Sequence, residues 1–207
     1  LAFDNAARTV TGNFTNATDA EGTITIADGT NTTAFVGNLG ASTSNSLKAL
    51  TVAGGSANVV TTTGNLYVDA ITLNDADTLS FIGTSAQTVS GTITDGILNV
   101  GDGTKATDVT FSGVISSAVT QNVQAAATAR YNANATFTGA YTNAGATHVG
   151  SGATLTAASL TDSGGTFVLG VADSDGTLTA ADFGQISVGA AALDTDDVTI
   201  SVTGVIG

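Results

Sequence analysis

The segment SGTITDGILNVGDGTKATDVTFSGVIS, residues 90–116, decides the fold class of this chain. Apolar residues alternate with Thr, Ser or Asn at 91–100 and again at 108–115, which is the two-residue period of a half-buried β-strand. Asp-Gly pairs separate these runs, and short turns favour such residues. The segment therefore predicts short strands joined by tight turns.

The same alternation occurs along most of the chain. It is found at 22–28, 65–73 and 197–206, where Gly, Asn and Asp again interrupt the runs at short intervals. Only residues 121–135, QNVQAAATARYNANA, have a composition that could support a helical turn or two. The fold class is therefore predicted to be all-β, with many short strands.

An internal duplication is indicated when the opening segment is compared with the N-terminal part. Residues 3–15 match 81–94, and residues 24–40 match 98–116, with an offset of about 74 to 79 residues that drifts along the alignment. We predict two related units within 1–120, at about 3–40 and 81–116. Further β-repeats follow at 121–207 with an Asp-rich C-terminal part, and one continuous domain is the alternative.

A second repeat, shorter than the duplication, is marked by phenylalanines, most of them in the motif Phe-x-Gly, and it indicates a solenoid. Repeats of about 20 to 50 residues are typical of solenoids, in which each coil covers the apolar face of its neighbour. We favour a parallel β-helix with Phe and aliphatic residues inside, Thr and Asn outside, and Gly at the corners. A β-sandwich with strand exchange between subunits is the alternative. The phenylalanines are Phe35, Phe81, Phe111, Phe137 and Phe167.

Composition limits the function. The net charge is −13, with 4 basic residues against 17 acidic ones, so nucleic acid is excluded as a partner and divalent cations are the natural counterions. The chain has no Cys, which excludes disulfides and thiolate metal sites. No apolar run is long enough to span a membrane. The acidic, Thr- and Asn-rich composition predicts an extracellular or cell-surface location, in bacteria.

Three stretches of the chain resemble the repeats of autotransporter adhesin passengers and related large secreted surface proteins of bacteria. They are TLSFIGTSAQTVSGTIT at 78–94, the segment at 21–55 that begins EGTITIADGTNTTAFVGNLG, and ATFTGAYTNAGATHVGSGATLTA at 135–157. The resemblance covers about residues 1–160. It implies export to the cell surface, a β-solenoid, and adhesion or scaffolding in place of catalysis.

Residues 171–183, VADSDGTLTAADF, contain the best candidate for a metal site. Asp173, Asp175, Thr177 and Asp182 fall on ligand positions of an EF-hand-type calcium loop, with glycine at the sharp turn. The first ligand position holds Val171, which is a departure from the motif. We predict a calcium site here, and a solvated Asp-Gly turn is the alternative.

Two further groups of carboxylates are weaker candidates for calcium. Asp194, Asp196 and Asp197 lie within four residues, and Asp75 and Asp77 are two residues apart. Carboxylates at i and i+2 of a strand share a face and repel each other unless a cation or water separates them. Solvated turns are the ordinary interpretation of both groups.

The sequence favours a protein that is not an enzyme. His148 is the sole histidine, so no zinc site with several histidines can form, and no nucleophile-elbow motif is present. Some β-helical enzymes cut acidic polysaccharides with Asp, calcium and a basic residue. The basic residues Arg8, Lys48, Lys105 and Arg130 do not neighbour an Asp cluster of that kind in the sequence.

Both ends of the chain resemble the middle of a repeat, without a polar cap or a charged edge that would block strand addition. We therefore expect the solenoid to be continued, by adjoining repeats of a longer chain or by copies of itself. The first hypothesis is a structural subunit of a bacterial surface filament or surface layer, assembled head to tail by β-strand complementation. The alternative is an adhesin passenger segment that binds a host or glycan receptor.

Overall fold

The computed structural model describes residues 1–4 and 6–169, together with the backbone of four short strands beyond them. In chain order the strands are β1 (Ala2–Phe3), β2 (Arg8–Thr11), β3 (Glu21–Ile26), β4 (Thr32–Val36), β5 (Leu47–Val52), β6 (Val59–Thr62), β7 (Val68–Thr72), β8 (Thr78–Phe81), β9 (Gln87–Val89), β10 (Thr92–Thr94), β11 (Ile97–Val100), β12 (Asp108–Phe111), β13 (Ile115–Ala118), β14 (Thr120–Val123), β15 (Thr128–Tyr131), β16 (Ala135–Asn143), β17 (Ala146–Val149), β18 (Thr154–Asp162), β19 (Thr166–Leu169), β20 (Thr177–Leu178), β21 (Gln185–Val188), β22 (Ile200–Ser201) and β23 (Val205–Ile206).

The strands form a β-solenoid of about eight coils. Face 1 contains β1, β3, β5, β7, β10, β13, the first parts of β16 and β18, and β21. Face 2 contains β2, β4, β6, β8, β11, β14 and the last parts of β16 and β18. Face 3 contains β9, β12, β15, β17, β19 and β22, and β20 pairs with β23. All pairing between the described strands is parallel, so the predicted solenoid is confirmed and an antiparallel sandwich is not formed.

Each coil visits face 1, face 2 and face 3 in that order. On the inner side of face 1, coil follows coil at intervals of 26, 21, 22, 22, 20 and 20 residues. Paired parallel strands lie about 4.7–4.9 Å apart, so aliphatic side chains of successive coils are in contact. These residues are Ile24, Leu50, Ile71, Ile93, Ile115, Ala135 and Leu155.

Aromatic side chains fill the middle of the solenoid. The Phe111 ring lies between two others, with its centroid 5.4 Å from Phe81 in an edge contact and 5.2 Å from Tyr131 in a stacked one. Tyr131 in turn contacts Phe137 and Tyr141. Each such pair adds about 0.5–1.5 kcal/mol beyond the burial of its area. The prediction that Phe lies inside is confirmed, whereas the prediction that Thr lies outside has exceptions, since Thr33, Thr62 and Thr147 are buried.

The five repeated phenylalanines do not lie at equivalent positions of their coils. Phe35 and Phe81 lie on face 2, Phe111 and Phe167 on face 3, and Phe137 on face 1. All five point inward and are buried, because any of the three faces can supply the aromatic ring that fills the lumen. The repeat that the strand pairing shows is therefore the single coil, and the division of the chain into two units stays a prediction.

The helical turn considered for 121–135 does not form. The segment contains the end of β14 and all of β15, with Val123, Ala129 and Tyr131 buried at alternate positions. Alternation at period two therefore outweighs the helix propensity of the alanines, because it lets both strands bury a face against neighbouring coils.

The corner between faces 2 and 3 is built by a repeated Gly-Asn pair. Asn13 Oδ1 accepts a hydrogen bond from the Asn38 backbone N–H at 2.9 Å, and Asn38 Oδ1 accepts one from Asn65 N–H at 2.8 Å. Asn65 Oδ1 continues the series by accepting from Thr88 N–H at 2.7 Å. Gly64 precedes Asn65, and a Cβ there would lie 2.2 Å from the Gly37 carbonyl oxygen. The close approach of the coils therefore requires glycine at this corner.

Candidate functional site: the outer surface and the first coil

The outer side of face 1 carries an aligned row of hydroxyl residues, here named the threonine row. The pairing places Thr51 between Thr25 and Thr72, and Thr72 beside Thr94. The inner aliphatic residues of the same strands are packed coil against coil, which fixes the spacing of the row. Its members within 1–169 are Thr25, Thr51, Thr72, Thr94, Ser116, Thr136 and Thr156.

A second outward row, here named the flanking row, runs two residues before the threonine row on each strand. It contains only small or medium uncharged side chains. Face 1 thus presents two parallel rows, with side chains of one strand pointing outward at every second residue. The flanking row is Thr23, Ala49, Ala70, Thr92, Val114, Asn134 and Thr154.

Most hydroxyls of the threonine row are available to an external partner. Thr94 Oγ1 lies 3.3 Å from Ser116 Oγ, and Ser116 Oγ also lies 3.3 Å from the Ile93 carbonyl oxygen, to which it can donate. The side-chain hydroxyls of the other five members make no hydrogen bond within the part of the chain that the structure describes. These groups therefore face solvent with both donor and acceptor capacity.

Three neighbouring members of the corresponding outward row of face 2 are bonded to one another. Asn122 Nδ2 donates to Asn99 Oδ1 at 2.8 Å, and Asn99 Nδ2 donates to Ser80 Oγ at 3.4 Å. Amides stacked in register across parallel strands satisfy one another in this way. These three residues therefore join coils together, whereas the threonines of the same row, Thr61, Thr142 and Thr161, make no side-chain hydrogen bond within the described residues.

Face 3 carries a charged group that spans three coils. Arg130 makes a two-pronged ion pair with Asp108, with Nε 2.9 Å from Oδ1 and Nη2 3.0 Å from Oδ2. Arg130 Nη1 lies 3.1 Å from His148 Nδ1, which accepts from it. Partial burial, and after it the charge of Arg130, lower the pKa of His148 below its usual value. Neutral imidazole therefore suits this position.

The predicted carboxylate pair at Asp75 and Asp77 separates into two different environments. Asp77 is fully buried and accepts from Asn58 through Oδ1 and from the Asn74 backbone and side chain through Oδ2. Asp75 instead lies beside Asp95 of the next coil, and a hydrogen bond and the charge of Asp95 raise the pKa of Asp75. Asp77 thus holds a corner of the solenoid through hydrogen bonds from Asn58 and Asn74. Next to this corner lies a shallow cavity of about 330 Å³, which is lined by Gly54, Gly55, Asn74, Asp75 and Ala76.

The other predicted calcium ligands fall outside the described residues. These are Asp173, Asp175, Asp182, Asp194, Asp196 and Asp197, while Thr177 is described only as backbone of β20. Within the described part of the chain, no group of three or more acidic or His side chains could hold a metal ion. Calcium binding by the Asp-rich C-terminal part stays a prediction.

The interior contains a series of hydrogen-bonded polar side chains that the sequence analysis did not predict. Thr147 Oγ1 donates to Asn143 Oδ1 at 3.1 Å, so it accepts from the Tyr141 hydroxyl at 2.8 Å. The Tyr141 hydroxyl in turn accepts from Tyr131 at 3.2 Å, and Asn143 Nδ2 donates to the Thr166 carbonyl at 3.2 Å. Burial is the main cause that raises the pKa of both tyrosines, which keeps them protonated. These hydrogen bonds therefore satisfy the buried polar groups of the four side chains.

The first coil has one side without a partner strand. β1 pairs only with β3, and β2 pairs only with β4. Phe3, Val10 and Phe14 are half-buried and contact the core from one side. The Arg8 guanidinium lies 5.4 Å from the Phe3 ring centroid and forms an ion pair with Asp4. This contact, which the sequence analysis did not foresee, covers part of the apolar end.

We find no family model, curated protein or solved structure that matches this chain. The resemblance to autotransporter passengers therefore rests on the repeats and on the β-solenoid fold. Among the described residues there is no helix that could cross a lipid bilayer.

Proposed function

We propose that this chain is a non-catalytic structural part of a bacterial surface assembly, and that copies of it extend the solenoid by pairing strands end to end. The observation that carries the proposal is that β1 pairs only with β3 and β2 only with β4, so the free side of both strands can pair with another coil, whether that coil comes from another copy or from adjoining repeats of a longer chain. A parallel solenoid has no closed edge, so its last strands are templates for further strands. A structural role is compatible with the fold.

The backbone geometry identifies which groups are available for this pairing. Gly12 N–H donates to the Val36 carbonyl at 2.8 Å, so residues of even number in β2 direct their backbone groups toward β4. Because successive residues of a strand alternate, Thr9 and Thr11 direct N–H and C=O away from β4. Ala2 does the same in β1, since Leu1 and Phe3 bond to β3. An added parallel strand would satisfy all of these groups.

The side chains of the first coil favour the same partner. Phe3, Val10 and Phe14 extend the inner ladders by one coil and have apolar surface left on the outer side. A further coil would cover them as the second coil covers them from below, with hydrophobic stabilisation of about 25 cal/mol per Å². Arg8 would have to leave the Phe3 ring, so the ion pair with Asp4 acts as a removable cover.

The extracellular location is part of the same proposal and is supported by composition. The chain carries a net charge of −13 and is rich in Thr and Asn, as surface repeats of bacteria are. The charge also opposes the approach of two copies, so high salt or a divalent cation should favour assembly. Calcium at the Asp-rich C-terminal part would act in that direction.

The experiment compares Thr9→Pro with Thr9→Val. Proline removes an N–H that points away from β4, so it blocks an added strand without breaking a hydrogen bond of the coil. Valine keeps the N–H and the shape. We expect concentration-dependent assembly of the native chain and of Thr9→Val in sedimentation velocity and negative-stain images, and its loss in Thr9→Pro. Monomers of the native chain at every concentration and salt would refute the proposal.

A second candidate function, an adhesin segment that binds a host or glycan receptor, is favoured by the charged group on face 3. Asp108 and Arg130 are 41% and 38% exposed and lie beside His148, so donors and acceptors stand side by side on a rigid surface. Such groups suit the hydroxyls of a sugar. We expect Arg130→Ala to remove receptor or glycan binding while Thr9→Pro leaves it intact. Equal binding by both variants would refute this assignment.

A further inference from the structure

Three properties of the threonine row and the flanking row of face 1 bear on what these rows can bind. Their members repeat once per coil at the strand spacing of about 4.7–4.9 Å. The threonine row consists only of Thr and Ser, each with a hydroxyl, and six of its seven members add a methyl group. Neither row contains a charged or aromatic side chain within 1–169.

These properties select a partner that is itself periodic. A single small molecule would contact two or three hydroxyls and gain nothing from the other coils. A regular solid surface could contact a hydroxyl and a methyl of every coil at once, and many weak contacts then add together. The rigid inner ladder of Ile and Leu holds the row in place before binding, so little conformational entropy is lost.

The chemistry of the rows separates two periodic solids. Polysaccharide fibres are recognised by flat aromatic rings and by charged or amide groups, and both rows lack aromatic and charged residues and contain one amide, Asn134. The oxygen atoms of hexagonal ice repeat along one axis at nearly the strand spacing. Threonine hydroxyls can join such a lattice as donors and acceptors, while the methyl groups fill the space between its water molecules.

We infer that face 1 binds the surface of ice through the threonine row, with the flanking row as its second line of contact. The inference does not rest on assembly of the chain. Five of the hydroxyls have no partner in the described structure, so ice would satisfy them without breaking an internal bond. Longer arrays bind ice more strongly, so assembly would increase the effect without creating it.

The test measures ice-crystal shape and thermal hysteresis of the native chain and of three variants, two of which are matched. Thr72→Tyr places a bulky ring in the middle of the threonine row, where the side chain is exposed. Thr142→Tyr places the same ring on the outer side of face 2. We expect faceted crystals and hysteresis for the native chain and Thr142→Tyr, and loss of both for Thr72→Tyr. Thr94→Lys is the second variant on the row, and circular dichroism verifies the fold of each.

Three results would overturn the inference. The native chain could leave ice crystals round and show no hysteresis. The variants on the two faces could lose or keep the activity equally, which would place it elsewhere. The chain could bind crystalline cellulose or chitin and not ice, which would make the partner a polysaccharide. Sedimentation of Thr72→Tyr as native assemblies would show that its loss of ice binding is separate from the proposed function.

Discussion

Phe14 in the first coil and Phe111 in the fifth hold the same place on the inner side of face 3, but their surroundings differ. Parallel strand pairing aligns Phe14 with Phe111 through Leu39, Leu66 and Val89, which contribute one residue from each coil in between. Phe111 is 1% exposed and has an aromatic ring on each side. Phe14 is half-buried and touches a ring, that of Phe35, in the second coil. A coil of this protein is therefore stabilised mainly by its neighbours, and the first coil has one neighbour instead of two.

The largest expected effect is the difference between Phe111→Ala and Phe14→Ala. Removing the central ring leaves a cavity between two packed rings, so we expect a loss of about 3–5 kcal/mol in the free energy of unfolding. Phe14→Ala should cost about 1–2 kcal/mol, because part of its surface is already in water and it packs against the core from one side. Urea denaturation followed by circular dichroism measures both. Equal losses would show that the first coil is as well supported as the fifth.

Replacing a corner glycine sharpens the comparison at the level of the backbone. A Cβ on Gly64 would meet the Gly37 carbonyl of the preceding coil at 2.2 Å, whereas a Cβ on Gly55 would meet nothing within 4 Å. We expect Gly64→Ala to destabilise the chain by about 1–3 kcal/mol through overpacking. Gly55→Ala is the control and should leave the midpoint unchanged or slightly higher. A neutral Gly64→Ala would mean that the coils can separate at this corner.

The asparagines at the corner between faces 2 and 3 test the difference between the first coil and the interior coils through their hydrogen bonds. Asn65→Ala removes the acceptor of Thr88 N–H between two interior coils, and we expect a loss of about 1–2 kcal/mol. Asn13→Ala removes the acceptor of Asn38 N–H at the exposed first coil, where water can replace it, so its cost should be smaller. Thermal midpoints of the two variants decide the order. A larger loss for Asn13→Ala would contradict the account.

The smallest effect concerns pH and the pairing of charges across coils. Arg8 pairs within the first coil, whereas Arg130 binds Asp108 and His148 of the two adjacent coils. The lowered pKa of His148 means that the fold prefers neutral imidazole. Its stabilisation is therefore complete above the usual pKa of about 6.5 and is lost as the pH falls below that value.

Comparison of the native chain with His148→Gln isolates this term. Between pH 8 and pH 5 the urea midpoint of the native chain should fall more than that of the variant, because only the native chain must protonate a partly buried ring beside Arg130. A native midpoint that falls less than that of His148→Gln would show that protonated His148 is tolerated at this position.

The sequence alone predicted the all-β class and the solenoid, because alternation and frequent turns record which side chains face inward. It did not predict the coil of 20 to 26 residues. The repeat was searched through Phe, which can fill the lumen from any face, as Phe35, Phe111 and Phe137 do. Gly-Asn followed by an inward apolar residue, at 12–14, 37–39 and 64–66, was the better signal, because a corner tolerates few other residues.

The candidate sites show the same limit. Asp108, Arg130 and His148 are 22 and 18 residues apart and meet because each step is about one coil. The two rows of face 1 follow the same rule. Without the coil length, neither grouping could be recognised in the sequence. The arrangement of Asp77 could not be foreseen either, because two of its four hydrogen-bond donors come from Asn58, at the same corner of the preceding coil, and only Asn74 lies in its own turn.

The most direct test of the central claim is amide hydrogen exchange in the first coil, measured in dilute and in concentrated protein. In dilute solution the Val10 N–H, which points toward β4, should be protected, while Thr9 and Thr11 exchange freely. On assembly, Thr9 and Thr11 should become protected to the level of Val10, because an added strand accepts and donates on that side. Free exchange of Thr9 and Thr11 in concentrated protein would contradict extension of the solenoid at this edge.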